Sequence, residues 1–402
     1  MKFPKVSELD ADQLRLYEGA PADGNILVVG PPGTGKTVVA FHRAAYLSRL
    51  GQFPRIIMYN NVLSQFTSTG RKIATKVPVS THFRWVVDWW QSATGTRVYP
   101  MVAGDRFVHD WGGIQQELVP YLATGRKLQD ANWGHLIIDE GQDFPENMYI
   151  ALKAMMTAAN LHKHSPPYAL TVLADDNQRL QPVKNCTVEQ IRVALGLHRT
   201  DKNVFTLKKN YRNTFEIARL ARNFYAGHSS GCPDLPQRRH GDLPVISVSS
   251  HEEEGKNLNA FVEKIARYAK SHSTEEIGVL VPNNKIRTKL MNRLTPRLES
   301  SGITLQTYSS DEKTNLTFDE PGRVTLLNFA SGKGLEFDAV FVVDPGRVLA
   351  TGGASEFGAK MLLYVMCSRA RSFLNLALVK DSACATILSW LPDATHYELE
   401  TL

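Results

Sequence analysis

The sequence predicts an α/β protein of two domains, each a parallel sheet flanked by helices, and three observations carry that expectation. Short apolar runs rich in β-branched residues recur at 25–29 (NILVV), 55–59 (RIIMY), 135–139 (HLIID) and 170–174 (LTVLA), with helical segments between them. Strands covered on both faces read as continuous apolar runs, so this alternation points to a parallel sheet under helices. The pattern then begins again at 244–249 (PVISVS), 277–281 (IGVLV), 323–329 (RVTLLNF) and 339–344 (AVFVVD), interleaved with helices such as 252–270. Finally, 402 residues exceed what one ordinary core accommodates. The expected domains are 1–203 and 204–402. Segment 92–132 fits the alternation poorly and reads as a small insertion, and the Gly/Pro/Arg-rich stretch 227–243 as a surface loop.

Composition narrows the class. A hydrophobic fraction of 43% with 21% charged residues belongs to a globular chain, which excludes a disordered or collagen-like one. No apolar run is long enough to span a bilayer, and the N-terminus lacks the apolar centre of a secretion signal. Cys186, Cys232, Cys367 and Cys384 are scattered without paired spacing. That pattern predicts a reducing, cytoplasmic setting and neither a disulfide nor a zinc framework. The formal charge of +6 is compatible with a polyanionic partner without requiring one.

The strongest local signal is Gly30-Pro31-Pro32-Gly33-Thr34-Gly35-Lys36-Thr37, which matches the G-x-x-x-x-G-K-[ST] phosphate-binding loop. It follows an apolar strand and precedes a helix, and the chemistry needs both flanks. Glycines such as Gly30, Gly33 and Gly35 let backbone N–H groups, Thr34 among them, curl around phosphates, and the helix N-terminus adds positive potential. Lys36 is then placed for the β- and γ-phosphates and Thr37 for a Mg²⁺ ion. A loop of this kind also needs acids. Asp139 and Glu140 close a later apolar strand, Asp139 suited to ordering the metal and Glu140 to taking a proton from attacking water.

Beyond the loop, Asp139–Phe144 (DEGQDF) closely resembles the D-E-x-Q-D-F signature of superfamily 1 helicases of the UvrD/Rep type. Other segments fall into that family's order. Gln13 resembles the upstream glutamine that reads adenine. Tyr59-Asn60-Asn61 and Val79-Ser80-Thr81, with Phe83 close by, stand where early DNA-contacting motifs lie. Asp175–Gln178 resembles the motif whose glutamine senses the γ-phosphate. Leu207–Asn213 (LKKNYRN) resembles the motif in which Tyr211 stacks on the base and Arg212 contacts the γ-phosphate. Gly332–Phe337 resembles K-G-L-E-F, implying that Glu336 reaches the nucleotide. Leu363–Arg371 resembles the segment that supplies a second arginine finger, Arg369. The resemblance runs from Gln13 to about Arg371. It implies two RecA-like domains, ATP and Mg²⁺ as cofactors, and a clamp completed by arginines of the second domain when the domains close.

Three departures bear on the load such a motor acts on. Arg179–Val183 lacks the aromatics that usually follow the sensing glutamine, and base stacking is worth about 1–3 kcal/mol per base. This stretch is closer to RecD-type helicases, which move in the opposite direction, whereas the D-E-x-Q-D-F and N-Y-R forms point to 3′→5′. Ala330 stands where the family commonly has a DNA-contacting histidine, and the chain has little room for large insertions.

Further nucleic-acid contacts are less sharply marked. Trp85, Trp89 and Trp90 offer stacking faces, although packing on a helix is the preferred reading for at least two of them. Lys285, Lys289 and Arg293 flank an Ile286/Leu290/Leu294 stripe and read more readily as a solvated face than as a phosphate track. The pair His162/His164 lacks further ligands nearby for a metal site, and Cys367 reads as a buried small residue. Two functional readings follow: an ATP-dependent translocase or helicase on single-stranded or tailed DNA, or a DNA- or nucleotide-sensing ATPase that regulates a partner nuclease, as in phage defence, without unwinding.

Overall fold

The apolar runs at 25–29, 55–59, 135–139 and 170–174 correspond to strands of one sheet. The computed structural model describes residues 3–402 apart from 60–71, 106–107, 124–131, 162–166, 180–184, 199–201, 228–229, 309–315, 319, 321 and 351–354. In the first sheet, β1 (Asn25–Val29), β2 (Pro54–Met58), β3 (Val79–Thr81), β4 (His135–Ile138), β5 (Ala169–Ala174) and β6 (Val204–Thr206) lie in the order β3-β2-β4-β5-β1-β6. Every pairing is parallel. Both neighbours of β1 come from late in the segment, so the chain leaves β1 at a point where strand order reverses. Open parallel sheets gather ligands at the carboxyl ends of strands at such points.

The accompanying helices are α1 (Ala11–Tyr17), α2 (Lys36–Arg49), α3 (His82–Thr94), α4 (Trp111–Ala123), α5 (Glu146–Asn160) and α6 (Val188–Ala194). Segment 92–132, expected as a small insertion, packs into the first unit. Its helix α4 contributes Trp111, Ile114, Leu118 and Leu122 to the main core, together with Trp85, Trp89, Trp90 and Trp133. All three tryptophans of α3 are at most 5% exposed, because a helix covering a sheet must bury its apolar face.

The second sheet holds β7 (Val245–Ser249), β8 (Glu276–Val281), β9 (Thr304–Thr307), β10 (Arg323–Asn328), β11 (Phe337–Val343), β12 (Ala370–Val379) and β13 (Glu398–Thr401) in the order β13-β7-β12-β11-β8-β10-β9. It too is parallel throughout. Around it are α7 (Phe215–Asn223), α8 (Glu254–Ser271), α9 (Asn284–Glu299), α10 (Phe329–Gly332), α11 (Gly346–Ala350), α12 (Glu356–Cys367) and α13 (Ser382–Ser389). Gly278 in β8 makes room for a neighbour, since a Cβ there would fall 2.4 Å from the Phe337 ring. On α9, Ile286, Leu290 and Leu294 are fully buried while Lys289 pairs with Glu254, which supports the solvated-face reading of its basic residues.

The class is therefore mixed α/β with two helix-flanked parallel sheets, the form expected of two RecA-like domains. The chain divides into two compact units between Leu207 and Lys208, with Pro32–Thr34 grouped with the second. That break falls later than the expected one after residue 203, because Val204–Thr206 pairs with Leu27–Val29 and so belongs to the first sheet. The four cysteines are free. Among the described residues no helix is long and apolar enough to cross a membrane.

A polar chain absent from the sequence expectations runs through the first unit. Arg43 is fully buried, and its guanidinium donates to the Leu16, Ala20 and Pro21 carbonyls at 3.1, 3.3 and 2.6 Å and to Thr171 Oγ1 at 3.3 Å. Thr171 Oγ1 in turn meets His135 Nε2 at 2.8 Å, while His135 Nδ1 meets the Ala22 carbonyl at 2.9 Å. A carbonyl only accepts, so Nδ1 carries a proton; burial keeps the ring neutral, and the Thr171 hydroxyl then donates to Nε2. Burial first, and then the Arg43 charge, push the His135 pKa down from 6.5 to about 3. The unfolded chain therefore takes up a proton that the folded chain refuses. Stability from this residue is complete above pH 6.5 and declines as pH falls towards 3. Urea unfolding at stepped pH below 6.5 is expected to show this decline and to show it flattened in His135→Gln; an unchanged slope would refute it.

Candidate functional site

The loop at Gly30–Thr37 begins where β1 ends, and the Gly30 N–H donates to the Ala174 carbonyl of β5 at 3.3 Å. Gly33 and Gly35 have φ of 85° and 81°, in the left-handed region where a side chain is strained. Gly35 is also the residue that caps α2. A Cβ on Gly35 would fall 2.6 Å from Gln13 Nε2, so the turn has space only for glycine. Gln13 is fixed there by a reciprocal cap on α1. Its N–H donates to Asp10 Oδ1 at 2.8 Å, and its own side-chain oxygen accepts from the Asp10 N–H at 3.2 Å. The sequence thus folds locally into a glycine-lined turn that ends on the N–H groups of a helix start, with Gln13 beside it. Thr34 is buried within the same loop.

Lys36 opens α2 and is 7% exposed. Its ammonium donates to the Gly30 and Pro31 carbonyls and lies 3.7 Å from Asp175 Oδ2. Next to it, Thr37 Oγ1 donates to Asp139 Oδ2 at 2.7 Å, which joins the loop to the end of β4. Asp139 is completely buried. Burial and then the neighbouring Glu140 raise its pKa, against the pull of Thr37 and Lys36. Glu140 follows with φ 53°, a left-handed conformation for a residue with a side chain. Such positions cost about 1–3 kcal/mol and concentrate at functional sites.

Two residues of these motifs proved more central than their sequence assignment suggested. Gln142 donates from Nε2 to Glu140 Oε2 at 2.6 Å and accepts from the Asp175 N–H at 2.9 Å, so it bridges the ends of β4 and β5. Asp175, at 0% exposure, receives Gln178 Nε2 at 3.0 Å and the Asn177 N–H at 3.0 Å. Burial raises its pKa and Lys36 lowers it again. The signals were present in the D-E-x-Q-D spacing and in the first acid of DDNQ. What the sequence lacked was any sign that one glutamine spans both strands.

The donor chemistry is that of a hard cation and a polyanion. Thr37 and Asp139 supply adjacent oxygens, the kind of ligand Mg²⁺ takes when water and phosphate complete its shell. Among the described residues, no group of three or more His, Cys, Asp or Glu side chains forms a metal cage by itself. The residues therefore fit a metal held jointly by protein and phosphate. The lysine, the helix start and the glycine turn fit the phosphate itself.

No protein-family model and no curated protein matches this chain. Among solved structures it is similar to the C-terminal domain of a possible DNA helicase from Lactobacillus plantarum WCFS1. That match has 23% identity and a TM-score of 0.33, over 47% of this chain and 98% of that domain.

Of the expected nucleic-acid residues, Tyr59, Thr81 and Phe83 lie at the carboxyl edge of the same first sheet. Tyr59 directly follows β2, is 44% exposed and packs edge-on against Phe144 at 5.7 Å. Thr81 ends β3 and caps α3, and Phe83 on α3 is 40% exposed. Behind them His82 contacts Phe144 and His109 contacts Phe83, at 4.8 and 5.2 Å, an aromatic cluster that sequence reading missed. Trp85, Trp89 and Trp90 are buried and offer no stacking face. Asn60, Asn61, Leu180–Val183, His162 and His164 lie outside the described residues.

Within the second unit, Tyr211 is 38% exposed, with Lys209 Nζ 5.2 Å above its ring. Arg212 and Glu336 come together, Nε to Oε2 at 2.7 Å. The other oxygen of Glu336, the residue that the resemblance assigns to the nucleotide, accepts from Arg371 at 3.0 Å. Arg369 is 1% exposed, and its guanidinium is turned to the Val365 and Leu335 carbonyls and the Ser368 hydroxyl.

The Gln142 bridge yields a direct test. Gln142→Leu removes both bonds from buried partners and is expected to destabilise the protein by about 1–3 kcal/mol in urea unfolding. A loss below about 0.5 kcal/mol, within the scatter of ordinary surface changes, would show that the bridge contributes little.

Proposed function

We propose that this chain is an ATPase acting on DNA, a translocase or helicase of the superfamily 1 UvrD/Rep type that moves 3′→5′ on single-stranded DNA. The observation that carries the reading is the Thr37–Asp139 hydrogen bond beside Lys36, on a glycine turn at the carboxyl end of a parallel sheet. Lys36 and the start of α2 bind and orient the β- and γ-phosphates. Thr37 and Asp139 hold Mg²⁺, which when bound draws charge from the phosphate oxygens. Glu140 accepts the proton of the attacking water, and its strained backbone and the Gln142 bond hold its carboxylate in place. Gln178, tied to Asp175, is the residue suited to registering the γ-phosphate. Gln13 reads the base and Tyr211 stacks on it. The second unit's Arg212 and Arg369 supply positive charge for the transition state. Arg212 is the stronger candidate, because its side chain is 12% exposed whereas the Arg369 guanidinium is buried against carbonyls.

Tyr59 and Phe83, an exposed aromatic edge, are assigned to the nucleic acid together with Thr81. The burial of all three α3 tryptophans limits that edge and favours a second reading, an ATPase that senses DNA and regulates a nuclease without unwinding.

Hydrolysis measured with and without single-stranded DNA, beside unwinding of duplexes tailed at either end, tests both. The first reading expects DNA-stimulated hydrolysis and displacement from a 3′ tail; stimulation with no displacement from either tail selects the second. Lys36→Ala removes the main phosphate cation and is expected to slow hydrolysis by on the order of 10²-fold or more. Hydrolysis equal to wild type in that variant would overturn the ATPase assignment.

A further inference from the structure

We propose that Glu336 is the positioning residue of Arg212: it grips the guanidinium along one edge and leaves Nη2 to meet an anion, while Arg371 locks Glu336 in that role. This rests on the reading of Arg212 as the arginine that meets a phosphate.

The geometry is specific. Arg212 Nε donates to Glu336 Oε2 at 2.7 Å and Nη1 to the Ser368 carbonyl at 3.3 Å. Nη2 has no partner among the described residues. The Ser368 carbonyl follows the last turn of α12, a helix of 12 residues whose C-terminal end carries partial negative charge that favours a cation. The backbone under Arg212 is fastened as well. Its N–H donates to Asn210 Oδ1 at 3.0 Å, and Arg239 Nη1 donates to its carbonyl at 2.5 Å. Asn213 Nδ2 reaches the same Ser368 carbonyl at 3.2 Å.

Charge balance separates this arrangement from a simple ion pair. Arg371 reaches Glu336 Oε1 at 3.0 Å, and it also meets Asp338 at 3.0 Å and Glu276 at 3.3 Å. With two further carboxylates on Arg371, the charge of Glu336 falls mainly to Arg212. Glu336 is 13% exposed on its side chain and Arg212 12%, so the pair is little screened. Burial alone raises the Glu336 pKa, but Arg212 and Arg371 reverse that and hold it at about 2, so the carboxylate stays ionised at any working pH. Holding an arginine in one rotamer before its anion arrives removes an ordering cost from the step that uses it.

A double-mutant cycle with Glu336→Gln and Arg212→Ala tests the assignment. A positioning role predicts that Glu336→Gln lowers kcat for ATP by on the order of 10²-fold with little change in KM. It also predicts no further loss when that substitution is added to Arg212→Ala. A raised KM, or a loss that multiplies with that of Arg212→Ala, would mean that Glu336 contacts the nucleotide itself and would overturn the proposal. The same four proteins unfolded in urea give a readout independent of turnover. Non-additive midpoints are expected, and additive midpoints refute the pairing whether or not the chain hydrolyses ATP. A wild-type chain without hydrolysis but with coupled midpoints would instead fault the ATPase reading alone.

Discussion

Three ionisable groups, Lys36, Asp139 and Asp175, are withdrawn from water at the carboxyl end of the first sheet, and the local structure follows from that constraint. They are 7%, 0% and 0% exposed. A buried charge is tolerated only when hydrogen bonds and opposite charge replace its hydration. Thr37 therefore donates to Asp139, Gln178 and the Asn177 N–H donate to Asp175, and Lys36 spreads its charge over two carbonyls and one carboxylate. The short motifs of this region are the covalent record of the requirement. Thr37, Gln142 and Gln178 each satisfy a carboxylate that the sheet has removed from solvent.

The second unit solves a comparable problem with the signs exchanged. Here one carboxylate, Glu336, is placed between two arginines, and its charge is retained because both oxygens are occupied. The residues come from three separate stretches: the segment before α7, the start of β11 and the start of β12. The pairing of Phe337 with Ala370 brings the last two together. A small shift in that register would separate Glu336 from Arg371 and leave Arg212 to a mobile carboxylate.

The same economy governs the aromatic residues. Thirteen-residue helix α3 and segment 92–132 together place Trp85, Trp89, Trp90 and Trp111 in one core. The stacked rings of Trp85 and Trp89, 5.4 Å apart, both meet Trp133 edge-on. Among the described residues expected to meet nucleic-acid bases, Tyr59 and Phe83 remain substantially exposed. A chain that spends its tryptophans on packing presents a narrow aromatic edge, which is why the nucleic-acid reading rests on fewer residues than the phosphate reading.

Local pattern alone was enough to place the parallel strands β1, β2, β4, β5, β7, β8, β10 and β11, because a strand covered on both faces must be apolar along its length. It was also enough to pick out the glycine turn with Lys36 and Thr37, and the acids after β4, since phosphate and metal chemistry require those residue types at short spacing. The short edge strands β3, β9 and β13 carry too few apolar residues to announce themselves, and β6 shows its membership only through its pairing with β1. The Arg43–Thr171–His135 chain, the Gln142 bridge and the grip of Glu336 on Arg212 join residues that are 33 to 128 positions apart. Hydrogen bonds of that separation depend on strand order and register rather than on local propensity, so the tertiary structure alone decided which buried polar groups would satisfy one another.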